Sequence, residues 1–163
     1  MKRYKLPEGP NTLTLTKGSH RTREEGMCAM EAVAWLAGEP HTDAPACVCP
    51  TIRRIMVIIN DRIIDDADRT TLLTPYLTRV IGTAGNVDTT RRRAFICADY
   101  AVRRFAPNAL RQAGREDEAA TLESLRPVAD QKTAYAAAAA AYAAAYDTTL
   151  LIELLGALME VAP

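Results

Sequence analysis

The sequence predicts an all-α protein, a compact multi-helix body of five to seven helices followed by a long Ala/Tyr-rich C-terminal helix. Three observations carry this. Apolar residues recur at a 3.6-residue period, as in Ile52, Ile55, Met56, Ile59 and Ile63. Cap and stop residues such as Gly38, Pro40, Pro50, Asp65 and Gly114 stand where those periods begin or end. The tail carries an alanine run between Tyr135 and Tyr142, and alanine is the strongest helix former. Strand-type alternation is confined to Thr12–Thr16, one short strand at most.

The chain divides into three regions: a polar N-terminal arm (1–19), broken by Pro7, Gly9 and Pro10; a helical body (20–126); and the C-terminal helix (127–163). Residues 24–37 read as the first helix of the body. Glu24 and Glu25 suit its first turn, where negative charge complements the helix dipole. Met27, Met30, Ala34 and Ala37 make its apolar stripe, and Cys28, Glu31 and Trp35 share a neighbouring face. Pro50 opens the next helix, with Arg53, Arg54, Asn60, Asp61 and Arg62 mostly on its outer side. Asp65-Asp66 supplies the following N-cap. Leu72, Leu73, Tyr76, Leu77, Val80 and Ile81 continue the pattern, which Pro75 is expected to break in two.

The stretch Gly82–Asn86 is a loop; it lacks the Gly-Lys-Ser/Thr of a nucleotide site. A helix over 89–106, capped by Asp88 or Thr89, faces inward with Ala94, Ala98, Ala101, Val102 and Phe105, and Pro107 ends it. Arg91–Arg93 within one turn point in different directions and read as a solvated surface with local ion pairs. Residues 110–113 make a short turn before Gly114, and 115–125 a last body helix anchored by Leu122 and Leu125. In the tail, Tyr135, Tyr142, Tyr146 and Leu150 share one face, with Leu151, Leu155 and Leu158 on an adjacent one. The uncharged run Thr133–Tyr146 is shorter than the ~20 residues a membrane span needs, and Asp147 and Glu153 interrupt the apolar residues beyond it. A helix packed on another helix is expected, in the body or in a second copy.

The 163 residues carry 20 basic and 20 acidic side chains, so no bulk electrostatic attraction to nucleic acid or membrane is expected. Four cysteines do not suggest a secreted disulfide scaffold, and no apolar run comes after the charged Met1–Lys5. A cytoplasmic, reducing setting is expected.

Candidate chemistry concentrates in residues 20–50, which hold the only tryptophan, both histidines and three of the cysteines. Cys28, His41, Cys47 and Cys49 form a Cys3His set of the kind that binds structural zinc, although Cys47-x-Cys49 is tighter than the usual spacing. Zinc is the one cofactor that the residues suggest, and the plainer reading needs none. Cys28 or Cys47 with His41 or His20 would make a nucleophilic pair, with Glu31 and Asp43 as neighbours. Asp43 either orients His41 or forms a turn ahead of Pro45. Against these stands the bland reading, small buried cysteines in a core.

The string Gly18-Ser-His20, Gly26-Met-Cys-Ala-Met-Glu-Ala-Val-Ala-Trp-Leu-Ala-Gly-Glu39, His41-x-Asp43-x-Pro45-x-Cys47-Val-Cys-Pro50, with Asn60-Asp61 and Val80–Thr83, resembles an uncharacterised family of actinobacteria, their phages and prophages. The likeness covers about residues 18–112 and implies a bacterial or phage cytosolic protein; it assigns no activity. The expected function is therefore a non-enzymatic interaction or regulatory protein of phage or prophage type, which contacts a protein partner or its own copy through the C-terminal helix. The alternatives are a zinc-binding or Cys/His-dependent enzyme centred on residues 28–49, and nucleic-acid binding through Arg91–Arg93.

Overall fold

A helical apolar period with almost no alternation should produce helices and little else. The computed structural model describes residues 13–125, 127–128, 133 and 148–161, and among these every regular element is helical. In chain order they are α1 (Ala29–Ala37), α2 (Pro50–Arg62), α3 (Asp66–Leu77), α4 (Val87–Tyr100), a π-helical turn (Ala101–Phe105), α5 (Ala106–Gln112), α6 (Glu116–Glu123) and α7 (Thr148–Met159). No helix of the described residues is long and apolar enough to cross a membrane. The chain folds as two units, one ending at Asn86 and the other beginning at Val87. The division falls inside the 20–126 stretch read from the sequence as one body.

In the first unit α1 packs against both α2 and α3. It begins at Ala29, five residues later than expected from Glu24. The delay has a local cause: Gly26 sits at φ 139 and Cys28 is extended at ψ 170, so neither continues a helix. Glu24 and Glu25 therefore lie exposed in the turn before it. Ala29 to Ala34 are all buried, so α1 is a core helix, not one with a single apolar stripe. Gly38 closes it in the left-handed conformation, φ 75, as its position suggested.

The α2 stripe is as read: Ile52, Ile55, Met56, Ile59 and Ile63 are all buried. Asn60 departs from the expectation of an outer side, for it is buried too. Asp65 caps α3, its carboxylate accepting from the N–H groups of Ala67 (2.8 Å) and Asp68 (2.9 Å). Pro75 does not break α3, which runs on to Leu77. So near the C-terminal end, its missing N–H removes one helical bond without interrupting a long ladder. Leu73, Leu77 and Val80 are core, whereas Leu72 is 42% exposed. Beneath α3 the fully buried Arg69 gathers backbone carbonyls: Nε donates to Asn60 O (2.7 Å), Nη1 to Leu15 O (3.3 Å) and Nη2 to Ile63 O, with Asp66 as its ion-pair partner.

In the second unit α4 packs against α7. The arginine cluster separates as its spacing implied, but only in part as a solvated surface. Arg91 pairs with Asp88 at 3.1 Å and Arg92 reaches Thr89 at 3.3 Å, both exposed. Arg93 is buried, donating Nε to Leu158 O and Nη2 to Val161 O, each at 2.9 Å. Ala94, expected inward, is exposed; Ala98, Ala101 and Phe105 are buried.

Pro107 does not end the helical path. The chain passes through the π-helical turn Ala101–Phe105, where the N–H of Ala106 reaches back to Ala101 O, and resumes with Pro107 in the first turn of α5. A widened turn accommodates a residue that has no N–H to donate and whose ring crowds the carbonyl four residues back. In α6 the buried contact is Ala119, while Leu125 is 44% exposed instead of anchoring.

The described residues cover only part of the stretch 127–163 expected to form one long C-terminal helix. α7 spans 12 residues, and Leu154, Leu155 and Leu158 are buried. Tyr135, Tyr142 and Tyr146 lie outside the described residues, as do the side chains of Leu150 and Leu151.

Candidate functional site

The site grows from one segment without regular structure. The N–H of Thr16 donates to Met27 O at 2.9 Å, so residues 16–27 form a loop whose two ends meet. Leu15 on one side and Met27 on the other are buried anchors. Between them polar contacts hold the loop to the helices. Asn60 Nδ2 donates to Thr16 O (3.1 Å), Gly18 N–H donates to Asp61 Oδ1 (3.0 Å), and Arg23 stacks over Trp35, 4.8 Å from the ring centre.

Glu31, only 1% exposed, sits at the centre. Its carboxylate accepts from His20 N–H (2.7 Å), His20 Nδ1 (2.9 Å) and Cys28 N–H (2.8 Å). The last bond is half of a capping box; the other half is the Glu31 N–H donating to Cys28 Sγ at 3.5 Å. Burial alone would raise the Glu31 pKa, but the N–H groups of His20 and Cys28 and the His20 ring outweigh it and hold the carboxyl below its ordinary value.

The histidine tautomers are set by the acceptors. A carboxylate only accepts, so His20 Nδ1 carries a proton, and in the neutral ring Nε2 accepts from the Thr16 hydroxyl at 3.0 Å. Thr16 Oγ1 is also 3.3 Å from Met27 O. His41 Nε2 donates to His20 O at 3.0 Å and stands 3.8 Å from Glu31 Oε1. Its Nδ1 is buried without a hydrogen-bond partner among the described residues. Gly26 is required here: a Cβ would lie 2.7 Å from Thr16 Oγ1 and 2.9 Å from His20 Nε2.

The cysteines go elsewhere. All four are free thiols. Burial first, with the Glu31 charge adding to it, pushes Cys28 up to about 12. Cys47 is pushed up to about 11, again chiefly by burial and then by Glu39. Glu39 in turn accepts from Ala46 N–H (2.7 Å) and Cys47 N–H (2.9 Å), and is held below its ordinary value first by the Cys47 thiol. Cys49 is buried as the N-cap of α2, its N–H donating to Thr83 Oγ1 at 3.2 Å. Cys97 lies in α4, in the other unit.

Of the residues singled out from the sequence, the fold joins His20, Glu31, His41 and Cys28. It does not bring the ring nitrogens of His20 and His41 to a thiol; they face Thr16, Glu31 and the His20 carbonyl. A reactive thiolate needs a cation or helix terminus beside it, whereas Cys28 and Cys47 each meet a carboxylate. Asp43 neither orients His41 nor caps its own turn: Arg53 Nη2 pairs with its carboxylate at 3.3 Å and Nε takes its carbonyl at 2.8 Å. No group of three or more His, Cys, Asp or Glu among the described residues converges to hold a metal ion, the proposed Cys28, His41, Cys47 and Cys49 included.

Thr16, Asn60 and Asp61 carry contacts that sequence reasoning assigned no role. A signal for Asn60 existed. It stands four residues after Met56 and eight after Ile52, on the apolar stripe, and a polar residue there implies a buried task. Its Oδ1 accepts from Ala29 N–H at 3.0 Å, at the head of α1.

A pocket of about 100 Å³ opens beside this cluster, lined by Gly18, Ser19, Cys28, Asp43, Asn60 and Asp61 among others. Thr16 and His20 are not part of its lining, so their hydrogen-bond chain does not face the space. No protein-family model, curated protein or solved structure matches the chain.

Proposed function

We propose that the chain is a non-enzymatic interaction or regulatory protein, of the phage or prophage type its motif string resembles, which binds a protein partner or a second copy of itself. One contrast carries this reading. The polar side chains gathered around Glu31 close on the chain's own backbone, while a large apolar side chain, Ile64, is 96% exposed. A residue in Ile64's position, just before an N-cap, ordinarily packs on the fourth residue of the helix. Here that residue is Arg69, which turns inward to the carbonyls beneath it and leaves Ile64 bare. The contact surface then lies at the α2–α3 corner, with Leu72, 42% exposed, on the same unit.

The test is sedimentation velocity over a concentration series for the full chain and Ile64→Asp. Concentration-dependent association that Ile64→Asp abolishes and Cys47→Ser leaves intact supports the reading through self-contact. Association unchanged in Ile64→Asp removes the corner as its site. A monomer at every concentration removes self-association and leaves a separate partner to be sought by cross-linking from residue 64.

A second reading, a metal-dependent or Cys/His site, draws on the unpartnered Nδ1 of His41. Elemental analysis of the natively purified chain beside Cys47→Ser and His41→Ala tests it. About one zinc per chain, lost in the variants, would favour it over the interaction reading.

A further inference from the structure

We propose that residues 16–26 are a hinged gate, latched by Glu31 and Asp61, whose opening as a unit exposes Cys28 and the adjoining pocket. The burial pattern points there. Leu15 is 0% and Met27 9% exposed, yet no residue from Thr16 to Gly26 is buried. Apart from Arg23 stacked over the Trp35 ring, nothing apolar holds the segment down between its two anchors, and segments with few buried apolar contacts occupy the low end of local stability. The anchors are already together, joined by Thr16 N–H to Met27 O at 2.9 Å, so the loop can swing without separating its ends.

The latches are polar, and few. Asp61 accepts the Gly18 N–H and Glu31 accepts the His20 N–H and ring, while Asn60 and His41 hold the carbonyls of Thr16 and His20. Bonds to a charged acceptor are the stronger ones, which makes the two carboxylates the principal catches. Gly18 and Ser19 form the loop's side of the pocket, and Cys28, Asn60 and Asp61 the helical side. Lifting the loop therefore uncovers the 5%-exposed Cys28 before any helix separates. Gly26 is the hinge: at φ 139 it has the conformation a side chain resists, and a Cβ would strike Thr16 and His20 in the closed state.

The experiment is per-cysteine labelling of the full chain with N-ethylmaleimide, read by mass spectrometry, for wild type, Asp61→Ala and Glu31→Gln. Cys49, fully buried at the head of α2, is the internal control for global opening. When reclosing outpaces labelling, the rate tracks the open population. Asp61→Ala should speed Cys28 by roughly tenfold, the effect of losing the charge-assisted bond that Asp61 makes to the loop at Gly18 N–H, with Cys49 unchanged. Asp61→Ala is the cleaner variant, since Glu31 also raises the Cys28 pKa and caps α1. Gly26→Ala, which keeps both carboxylates but crowds Thr16 and His20 in the closed state, should act in the same direction. Cys28 labelling that is unchanged in all three variants, or that rises only in step with Cys49, overturns the gate.

Discussion

Among the described residues each unit buries one arginine, and each uses it to collect carbonyls at the C-terminal end of a helix. Arg69 takes Asn60 O and Ile63 O from the end of α2, with Leu15 O from the arm. Arg93 takes Leu158 O and Val161 O from the end of α7. A guanidinium suits this task in both places, because the last carbonyls of a helix lack intrahelical partners and carry the negative end of its dipole. The difference lies in range. Arg69 works on residues within nine positions in the chain, plus Leu15, and has Asp66 beside it as counter-ion. Arg93 reaches across 65 and 68 residues, so it joins the tail to α4. The same chemistry thus closes a corner in one unit and fixes a distant helix in the other.

Four experiments sharpen that contrast or break it, beginning with the largest effect. Arg69→Met leaves the α2 carbonyls buried without donors and Asp66 without its partner, and should cost roughly 3–5 kcal/mol in the first unit. Trp35, the only tryptophan, lies in that unit, so its fluorescence in a urea titration reads the loss directly. Arg93→Met should cost about 2–3 kcal/mol, expressed as release of α7 to proteases while the Trp35 transition stays put. A Trp35 transition that shifts as much in Arg93→Met as in Arg69→Met would break the comparison.

A pH series comes third. Glu31 has a folded pKa below its ordinary 4.5, so its contribution is complete above that value and disappears as pH falls through the lower folded one. The Trp35 transition should lose stability in that acid range, and Glu31→Gln should flatten the limb. The smallest effect belongs to Arg91→Ala. Its pair with Asp88 is 55% and 72% exposed, and no change in melting temperature is expected.

How much is legible in the sequence varies with the range of the interaction. The α2 stripe, the Asp65 cap and the Gly38 stop depend on neighbours within a turn, and each appears where its spacing places it. Pro75 and Pro107 mislead because proline is tolerated near a helix end or beyond a widened turn, which local rules do not foresee. Cys28 shows the limit well. Its spacing to Glu31 is visible, yet the helix start one residue after it turns that pair into a capping box, not a thiol–carboxylate face. Sequence alone singles out His20 and His41 as partners for cysteines. The fold points them at Glu31, at Thr16 and at the His20 carbonyl instead.

By itself, then, the sequence determined the helical class, most of the core stripes and the neighbourhood where polar residues gather, since periodicity and capping act within a few residues. Only the tertiary structure decided which polar groups are buried. Arg69, Arg93, Asn60 and Glu31 all carry side chains that composition assigns to the surface. They are inside because carbonyls and N–H groups, some from nearby turns and some from far along the chain, meet there needing partners, and a buried backbone group left unpaired costs more than a buried side chain that satisfies it.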